Sequence, residues 1–500
     1  MGATGAVHGK DSDSRSWVLR LPCPISLPIL VSLLSVTTVL AFAHEARQSI
    51  KPRASRPSVL PLAPAARVVS LTPVPGSFTE PSIAVNPLAP KQLVAAFQDN
   101  AHVSYSTDAG WTWHAASGPA PTDFLVSGDV SVVYDNEGHA ILCYIAFDRL
   151  GTTDYWAHNA TRNGVFVRRS LDGGKTWQKK DVAVIEHPTL PGIPFEDKPY
   201  IVADATHGPY AGNLYVGWTH FTLANSTILF SRSTDDGKSW SVPITISTQP
   251  GLPRDDTGSV EGFDAAIGPD GTIYAVWSNG MHIMLAISTD GGRHFHPSRE
   301  IIPTAPSYFK PASVDRGNGF PQIAIDPRGG RRGGPLYVCW SDYRNGDIDV
   351  FVSSSFNHGR SWGPAVRVNN DPLHDGADQF MPWAAVDPST GDLYIVFYDR
   401  RGDPENIKAT ITLARSTNHG HNFENYAWTR TPFDPQNAFI GDYSGLTALD
   451  GCVYGAWTQQ VRTRAPARDP ASQVSKAAHS IVRIGMARFP VPGLPAPTCP

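Results

Sequence analysis

Cysteine, charge and any positive excess are what this 500-residue chain has little of. Five cysteines are too few for a fold built on disulfides. None stands in a Cys-x-x-Cys or Cys/His spacing suited to zinc. Cys143, Cys339 and Cys452 lie inside apolar runs (ILCYIAF, LYVCWSD, CVYGAW) and read as buried free thiols. Charged residues are 17% of the chain, below the roughly 25% of ordinary soluble proteins. Lys+Arg at 41 and Asp+Glu at 45 leave a formal net charge of -4, without the basic surface a nucleic-acid binder carries. Nothing in the chain calls for a cofactor or a metal. What is abundant is turn and ring: Gly 44, Pro 44 and 10% aromatic residues. That mixture points to an all-β protein.

Residues 22–43 form an apolar run, preceded by Arg15 and Arg20 and closed by the small-x-small triplet Ala41-Phe42-Ala43. This is the layout of a signal peptide with a long n-region. The run is also near membrane-spanning length, so an uncleaved anchor is the alternative; its prolines count against that. Residues 44–65 are Pro/Ala/Arg-rich and aperiodic, a linker, and 490–500 is a similar tail. The expected folded part is 66–489, secreted or periplasmic, with no stable membrane insertion once the signal is removed.

One octet recurs six times: STDAGWTW (106–113), SLDGGKTW (170–177), STDDGKSW (233–240), STDGGRHF (288–295), SFNHGRSW (355–362) and STNHGHNF (416–423). The pattern Ser-x-Asp/Asn-x-Gly-x-x-aromatic is structural chemistry. The carboxylate or amide accepts turn N–H groups, glycine supplies a positive φ, and the ring anchors the turn. A catalytic or metal role for these Asp residues is disfavoured, because a site does not need six copies around a scaffold. The octets resemble the Asp-box, or BNR, repeat of the sialidase-like β-propellers, over nearly all of 66–489.

A second repeat sets the blade number. Apolar strands such as AILCYIAF (140–147), NLYVGW (213–218), TIYAVW (272–277), PLYVCW (335–340) and DLYIVF (392–397) precede the octets, and a seventh, CVYGAW (452–457), has no octet after it. Each follows an inner strand and leads to a third. The expectation is therefore a β-propeller of seven four-stranded antiparallel blades. RVVSLT (67–72) supplies the missing strand of the last blade and closes the ring. Six blades, the number in the sialidases it resembles, is the alternative.

In such a ring the octets mark one face. The starts of the inner strands and the ends of the second strands meet on the other, where loops build a binding mouth. Inner-strand starts offer Glu80, Asp129, Glu196, Asp197, Lys198, Glu261, Asp264 and Tyr443. Second-strand ends offer Asp99, Asp148, Arg149, His220, Asp342, Arg344, Asp399, Arg400 and Arg401. Converging carboxylates suit acid/base work on a glycosidic bond, and arginines suit a substrate carboxylate. The plain alternative is a rim of mutually paired Asp and Arg. His220 by itself reads as a polar rim residue.

The resemblance implies a Tyr nucleophile assisted by a Glu, an Asp acid/base and arginines on the carboxylate of a sialic acid. Tyr443 in DYSGLT matches the family's Tyr-Ser-x-Leu context, and Glu261 opens the strand that resembles the Glu-bearing one. Asp99 lies near the acid/base region. Arg344 in WSDYRNGD and Arg400 or Arg401 in FYDRRGD stand as carboxylate holders, with Asp342, Asp399, Arg149, Glu80 and Asp197 around them. The family's front arginine is absent: the matching segment is Phe78-Thr79-Glu80-Pro81, with Thr79 in its place. The expected partner is a glycan or glycoconjugate. Two function classes stay open, an exported sialidase-like glycosidase and a non-catalytic propeller that binds extracellular glycan or protein. A lyase or hydrolase for a uronic-type sugar is a third.

Overall fold

The second strand of each blade is apolar on both of its faces, because each sheet is sandwiched between two others. Ala140–Phe147 and Leu336–Asp342 are buried at every position. A computed structural model describes residues 59–98, 100–116, 124, 126–149, 160–188, 194–255, 258–304, 306, 308–461, 479–493 and 499. The signal-like run and Asp99 lie outside them.

Seven four-stranded antiparallel sheets form the blades of a propeller, with no helix among the described residues. The inner strands in ring order are Ser82–Val85, Val126–Tyr134, Phe195–Ala203, Glu261–Ile267, Gln322–Ile325, Gln379–Val386 and Gly445–Leu449. Each touches the next, and the seventh touches the first. The seventh blade takes its outer strand from the other end of the chain. Arg67–Ser70 pairs antiparallel with Ser480–Arg488, Arg67 opposite Met486 and Ser70 opposite Arg483. Closure by both termini gives the seventh blade its fourth strand and covers the edge of Ser480–Arg488.

Blades adhere through large rings. Trp218, Trp277, Trp340 and Trp457, at one repeat position, are all fully buried. Truncating such an indole to Ala costs about 3–5 kcal/mol. Trp218 packs with Cys143, Ile145 and Phe195, joining blades two and three.

The octets are closed by their own side chains. Ser233 Oγ donates to Asp235 Oδ1 (2.8 Å) and accepts from Gly237 N (2.9 Å), while Asp235 also accepts from Ser239 N (2.9 Å) and Ser239 Oγ (2.6 Å). Gly237 sits at φ 76°, where a Cβ would be strained. The other five octets repeat the Ser hydroxyl contact to Asp or Asn.

Two cysteine readings need separating. Cys143 and Cys339 are buried free thiols. Cys452 is not free: it is disulfide-bonded to Cys499. The apolar run around Cys452 hid a partner 47 residues away, in a segment whose composition reads as tail.

Candidate functional site

Four inner strands begin with the same irregularity. Pairing to the second strand slips between Gly128 and Ser131, Asp197 and Tyr200, Glu261 and Asp264, and Phe380 and Trp383. At the slips Asp129, Lys198, Gly262 and Met381 take φ of 47°, 46°, 75° and 51°; Glu80, just ahead of the first inner strand, has φ 52°. A bulge bends a strand and re-aims a side chain. A non-glycine residue in this region costs about 1–3 kcal/mol, and such strain gathers at functional sites. Glu80, Asp129 and Lys198 meet that cost side by side, around one cavity.

The cavity measures about 440 Å³. Its polar wall includes Glu80, Gln98, Asp129, Asp197, Lys198, Asp255 and Arg316, and its apolar wall Phe147, Phe195 and Phe439. A few convergent polar groups beside rings is the usual make-up of a ligand site.

Asp442 is the hub of the charges beneath it. It accepts from Lys198 Nζ, from Arg316 Nε (3.1 Å) and from Asn318 Nδ2 (3.1 Å), and its own N–H donates to Glu80 Oε1 (3.0 Å). Burial opposes ionisation, but Arg316 and Lys198 outweigh it and hold Asp442 far below the usual carboxylate range. Arg316 Nη1 also donates to Asp255 Oδ2 (2.6 Å). Asp255, a third of its side chain exposed, is likewise lowered, partial desolvation being outweighed by Arg316 and Lys198.

The other carboxyls go the opposite way. Burial raises Glu80 to about 7, against Lys198, and raises Asp129 to about 7, helped by Glu80. Asp197 is raised well above its ordinary value by burial and by Asp129, to which its side chain is hydrogen-bonded. Glu261 is also raised well above, by burial and then by Asp255. Asp442 and Asp255, held low, lie against Lys198 and Arg316, while burial favours the protonated form of Asp197 and Glu261. The cavity thus sets carboxyls of opposite proton affinity side by side, the arrangement acid/base chemistry uses.

Tyr308 joins this cluster from a two-stranded ribbon, Tyr308–Phe309 against Gly317–Asn318, that leads from blade four to blade five. Its hydroxyl contacts Glu261 Oε2 at 2.8 Å and donates to Asp255 Oδ1. Ser259 Oγ donates to the same Glu261 oxygen (2.9 Å), and Lys198 Nζ is 3.8 Å from the other.

Of the residues singled out from the sequence, Glu80, Asp129, Asp197 and Lys198 line the cavity and Glu261 belongs to its charge cluster. The Tyr443 hydroxyl donates to Val130 O (3.3 Å) and its ring packs against Trp383. Burial, and after it the charges of Glu80, Asp129, Asp442 and Asp197, raise that hydroxyl well above its ordinary value, so Tyr443 borders the same acidic group. The arginines are held by ion pairs outside the cavity wall. Arg344 forks onto Asp342 (2.6–3.0 Å) and covers Trp340 and Phe351. Arg401 binds Asp399 (2.6 Å) and Asn370 (2.6 Å). Arg400 is fully buried, donating to Asn406 O (2.9 Å) and 3.5 Å from Asp378. Arg149 is an exposed neighbour of Asp148 at 3.7 Å. For Arg149, Arg344 and Arg401 the acid of the same turn takes the guanidinium, while Arg400 reaches Asp378 at the start of the inner strand of its blade. Thr79 is buried, with its carbonyl accepting from Gln98 N (2.8 Å).

Tyr308, Asp255 and Arg316 were not found by reading strand starts and ends. They lie in the connections that enter blades four and five. One signal was available: the octets at 288 and 355 are 67 residues apart, the widest interval in the series.

No family model matches the chain. Over 103 residues it is 35% identical to a sialidase of Bacteroides fragilis (strain YCH46). That stretch is 17% of this chain and 19% of the relative, so the match spans about a fifth of that protein's length. Among solved structures, the Hadza microbial sialidase Hz136 is similar with a TM-score of 0.47 at 16% identity, covering 80% of this chain and 73% of that one. The Phage phi92 endosialidase gives 0.49 at 11%, covering 86% and 70%. An α-L-arabinofuranosidase from Fusarium graminearum gives 0.42 at 11%, covering 71% and 91%.

Proposed function

We propose that the protein is an exported glycosidase of sialidase type that releases a terminal acidic sugar, sialic acid or a relative, with Tyr308 rather than Tyr443 as nucleophile. The observation that carries this reading is the Tyr308 hydroxyl held between Asp255 and Glu261 beside Arg316. A neutral phenol is a sensible nucleophile toward an anionic sugar, provided a carboxylate takes its proton. Asp255, kept ionised by Arg316, is that base. Burial and the flanking carboxylates raise Tyr308 itself well above its ordinary value, so proton transfer accompanies attack rather than preceding it. The leaving oxygen then receives a proton from one of the carboxyls whose proton affinity burial raises, Glu261 or the Asp129–Asp197 pair. Arg316 and Lys198 are the cations on the cavity wall for the sugar's carboxylate. The signal-like run at 22–43 and the Cys452–Cys499 disulfide both support export.

A second reading is favoured by one observation. Arg344, Arg400 and Arg401 are all engaged in ion pairs, and Arg316 and Lys198 share Asp442, so none of these four guanidiniums stands free for a substrate carboxylate. A glycan-binding propeller without turnover needs none. Hydrolysis of a panel of fluorogenic sialosides and neutral glycosides separates the two. The first reading expects turnover that falls at least a hundredfold in Tyr308→Phe and survives in Tyr443→Phe. Turnover lost only in Tyr443→Phe refutes the nucleophile assignment. No turnover with retained glycan binding establishes the second reading.

A further inference from the structure

One residue from the cavity wall, but outside the cavity lining, a second cluster stands on the same face. Glu196 lies between the lining residues Phe195 and Asp197 and is itself buried. Its Oε1 meets His187 Nε2 at 2.6 Å and His220 Nδ1 at 2.8 Å. His187 ends the outer strand of blade two, Val182–His187, and His220 lies in the second strand of blade three, Leu214–Phe221. The cluster therefore bridges two blades. We infer that His187, Glu196 and His220 form a site for a divalent transition cation of the zinc class, with a fourth position open to solvent.

The donor set fits that class. Two imidazoles and one carboxylate are ligands zinc accepts, and three protein ligands plus an exchangeable position is its arrangement at open sites. One donor atom from each residue lies within 4.8 Å of the others. The rings tilt 47° to each other with centroids 6.4 Å apart, so they converge on the carboxylate from two sides rather than stacking. The carboxylate is oriented from behind. Trp218 Nε1 donates to Glu196 Oε2 at 2.6 Å, which leaves Oε1 for the shared point. Such an outer hydrogen bond to a ligating carboxylate is a usual part of metal sites. His187 and His220 keep 17% and 20% of their side chains exposed, which leaves an entry path.

A plain hydrogen-bonded triad would also satisfy a buried glutamate. The contrast with the acidic cluster next door separates the two ideas. Asp197, Asp255 and Glu261 also lie within metal-holding distance of one another, but Arg316 pairs with Asp255 and Lys198 stands 3.8 Å from Glu261, so cations already face that group. Among the described residues no lysine or arginine pairs with Glu196, and its compensation comes from two imidazoles that a cation can recruit by displacing protons.

The test uses the full chain, freed of metal by chelation and carrying no histidine tag, titrated with Co2+ alone and then Zn2+ alone. The expected result is one equivalent of Co2+ with the visible absorption of a low-coordinate nitrogen/oxygen site, displaced by Zn2+, and a rise in the thermal midpoint on adding Zn2+. His220→Gln retains a donor for Glu196. It is expected to melt like the metal-free wild type and to lose both the spectrum and the Zn2+ response. Trp218→Phe, which removes the orienting N–H, is expected to bind about ten- to a hundredfold more weakly. No stoichiometric Co2+ binding by the wild type overturns the inference. So does binding that persists in His220→Gln, or that vanishes in Asp255→Asn instead.

Discussion

Asp129→Asn is expected to make the protein more stable and less active, with a stability gain that depends on pH in a defined way. Asp129 is buried, and its folded value is raised from 3.8 to about 7, first by burial and then by the charge of Glu80. An acid whose folded value is raised keeps its full stability below its unfolded value. That stability is lost as pH climbs toward the folded value and stays lost above it. The window here is from about 4 to about 7. Each tenfold difference in proton affinity corresponds to about 1.4 kcal/mol, so ionised Asp129 costs the native state about 4 kcal/mol above pH 7.

Asparagine has the same shape and never ionises. Its carbonyl can still accept the Lys198 N–H now bound by Asp129 Oδ2 (3.0 Å), and its amide can face Asp197. The variant should therefore match the wild type near pH 4 and exceed it by about 1–2 kcal/mol at pH 5. Above pH 7 the excess should reach about 4 kcal/mol. Urea midpoints and slopes at pH 5 and pH 8 measure this directly. A stability difference that is flat with pH, or a variant weaker than the wild type at pH 8, refutes the reasoning. A gain in stability with loss of turnover is the signature of a group held in place for function.

Three further outcomes follow from the same structure. Asp442→Asn deprives Lys198 and Arg316 of their common anion, and unfolding in urea should show a loss of about 3–5 kcal/mol. The folded value of Asp442 is depressed, so its contribution is present above about pH 4 and fades as pH falls; the wild type should lose stability on acidification that the variant no longer has to lose. Cys499→Ser frees the segment tied to Cys452 and should cost about 2–4 kcal/mol, read as a lower thermal midpoint under non-reducing conditions. Asp235→Ala removes the acceptor for Ser233, for the Ser239 amide and for the Ser239 hydroxyl, costing about 1–2 kcal/mol by urea melt with turnover unchanged, since the octet lies on the far face.

The blades were legible because repetition multiplies a weak signal. One Tyr-x-x-Trp strand is ambiguous, but Tyr215–Trp218, Tyr274–Trp277, Tyr337–Trp340 and Tyr454–Trp457, with Tyr394 between the last two, fix the second strand of these blades, and the octets mark downstream turns. The odd member gave the closure: a seventh unit short of one strand, and RVVSLT ahead of the first. The disulfide was hidden for the opposite reason. Cys499 occurs once, outside the repeat, and a pairing across 47 residues leaves no local pattern.

The site was legible only where the repeat passes through it. Glu80, Asp197 and Glu261 belong to inner-strand starts, which every blade has, so alignment of the repeats brought them to one face. What alignment could not supply was the competition for each arginine. Arg344 and Arg401 stand two residues after Asp342 and Asp399, and a fork two residues from a carboxylate closes on it before any ligand arrives. Arg316 follows an acid, Asp315, but its guanidinium does not close on it. It reaches Asp255 and Asp442, 61 and 126 residues away, and is the guanidinium on the cavity wall. The residues that distinguish one blade from the next therefore come from connections that the repeat does not contain. The wide interval between the octets at 288 and 355 holds the ribbon that carries Tyr308. In a ring of equivalent blades, the chemistry belongs where the equivalence is broken: an insertion that adds Tyr308 and Arg316, set beside strand starts where Glu80, Asp129 and Lys198 hold a positive φ, the last two at bulges.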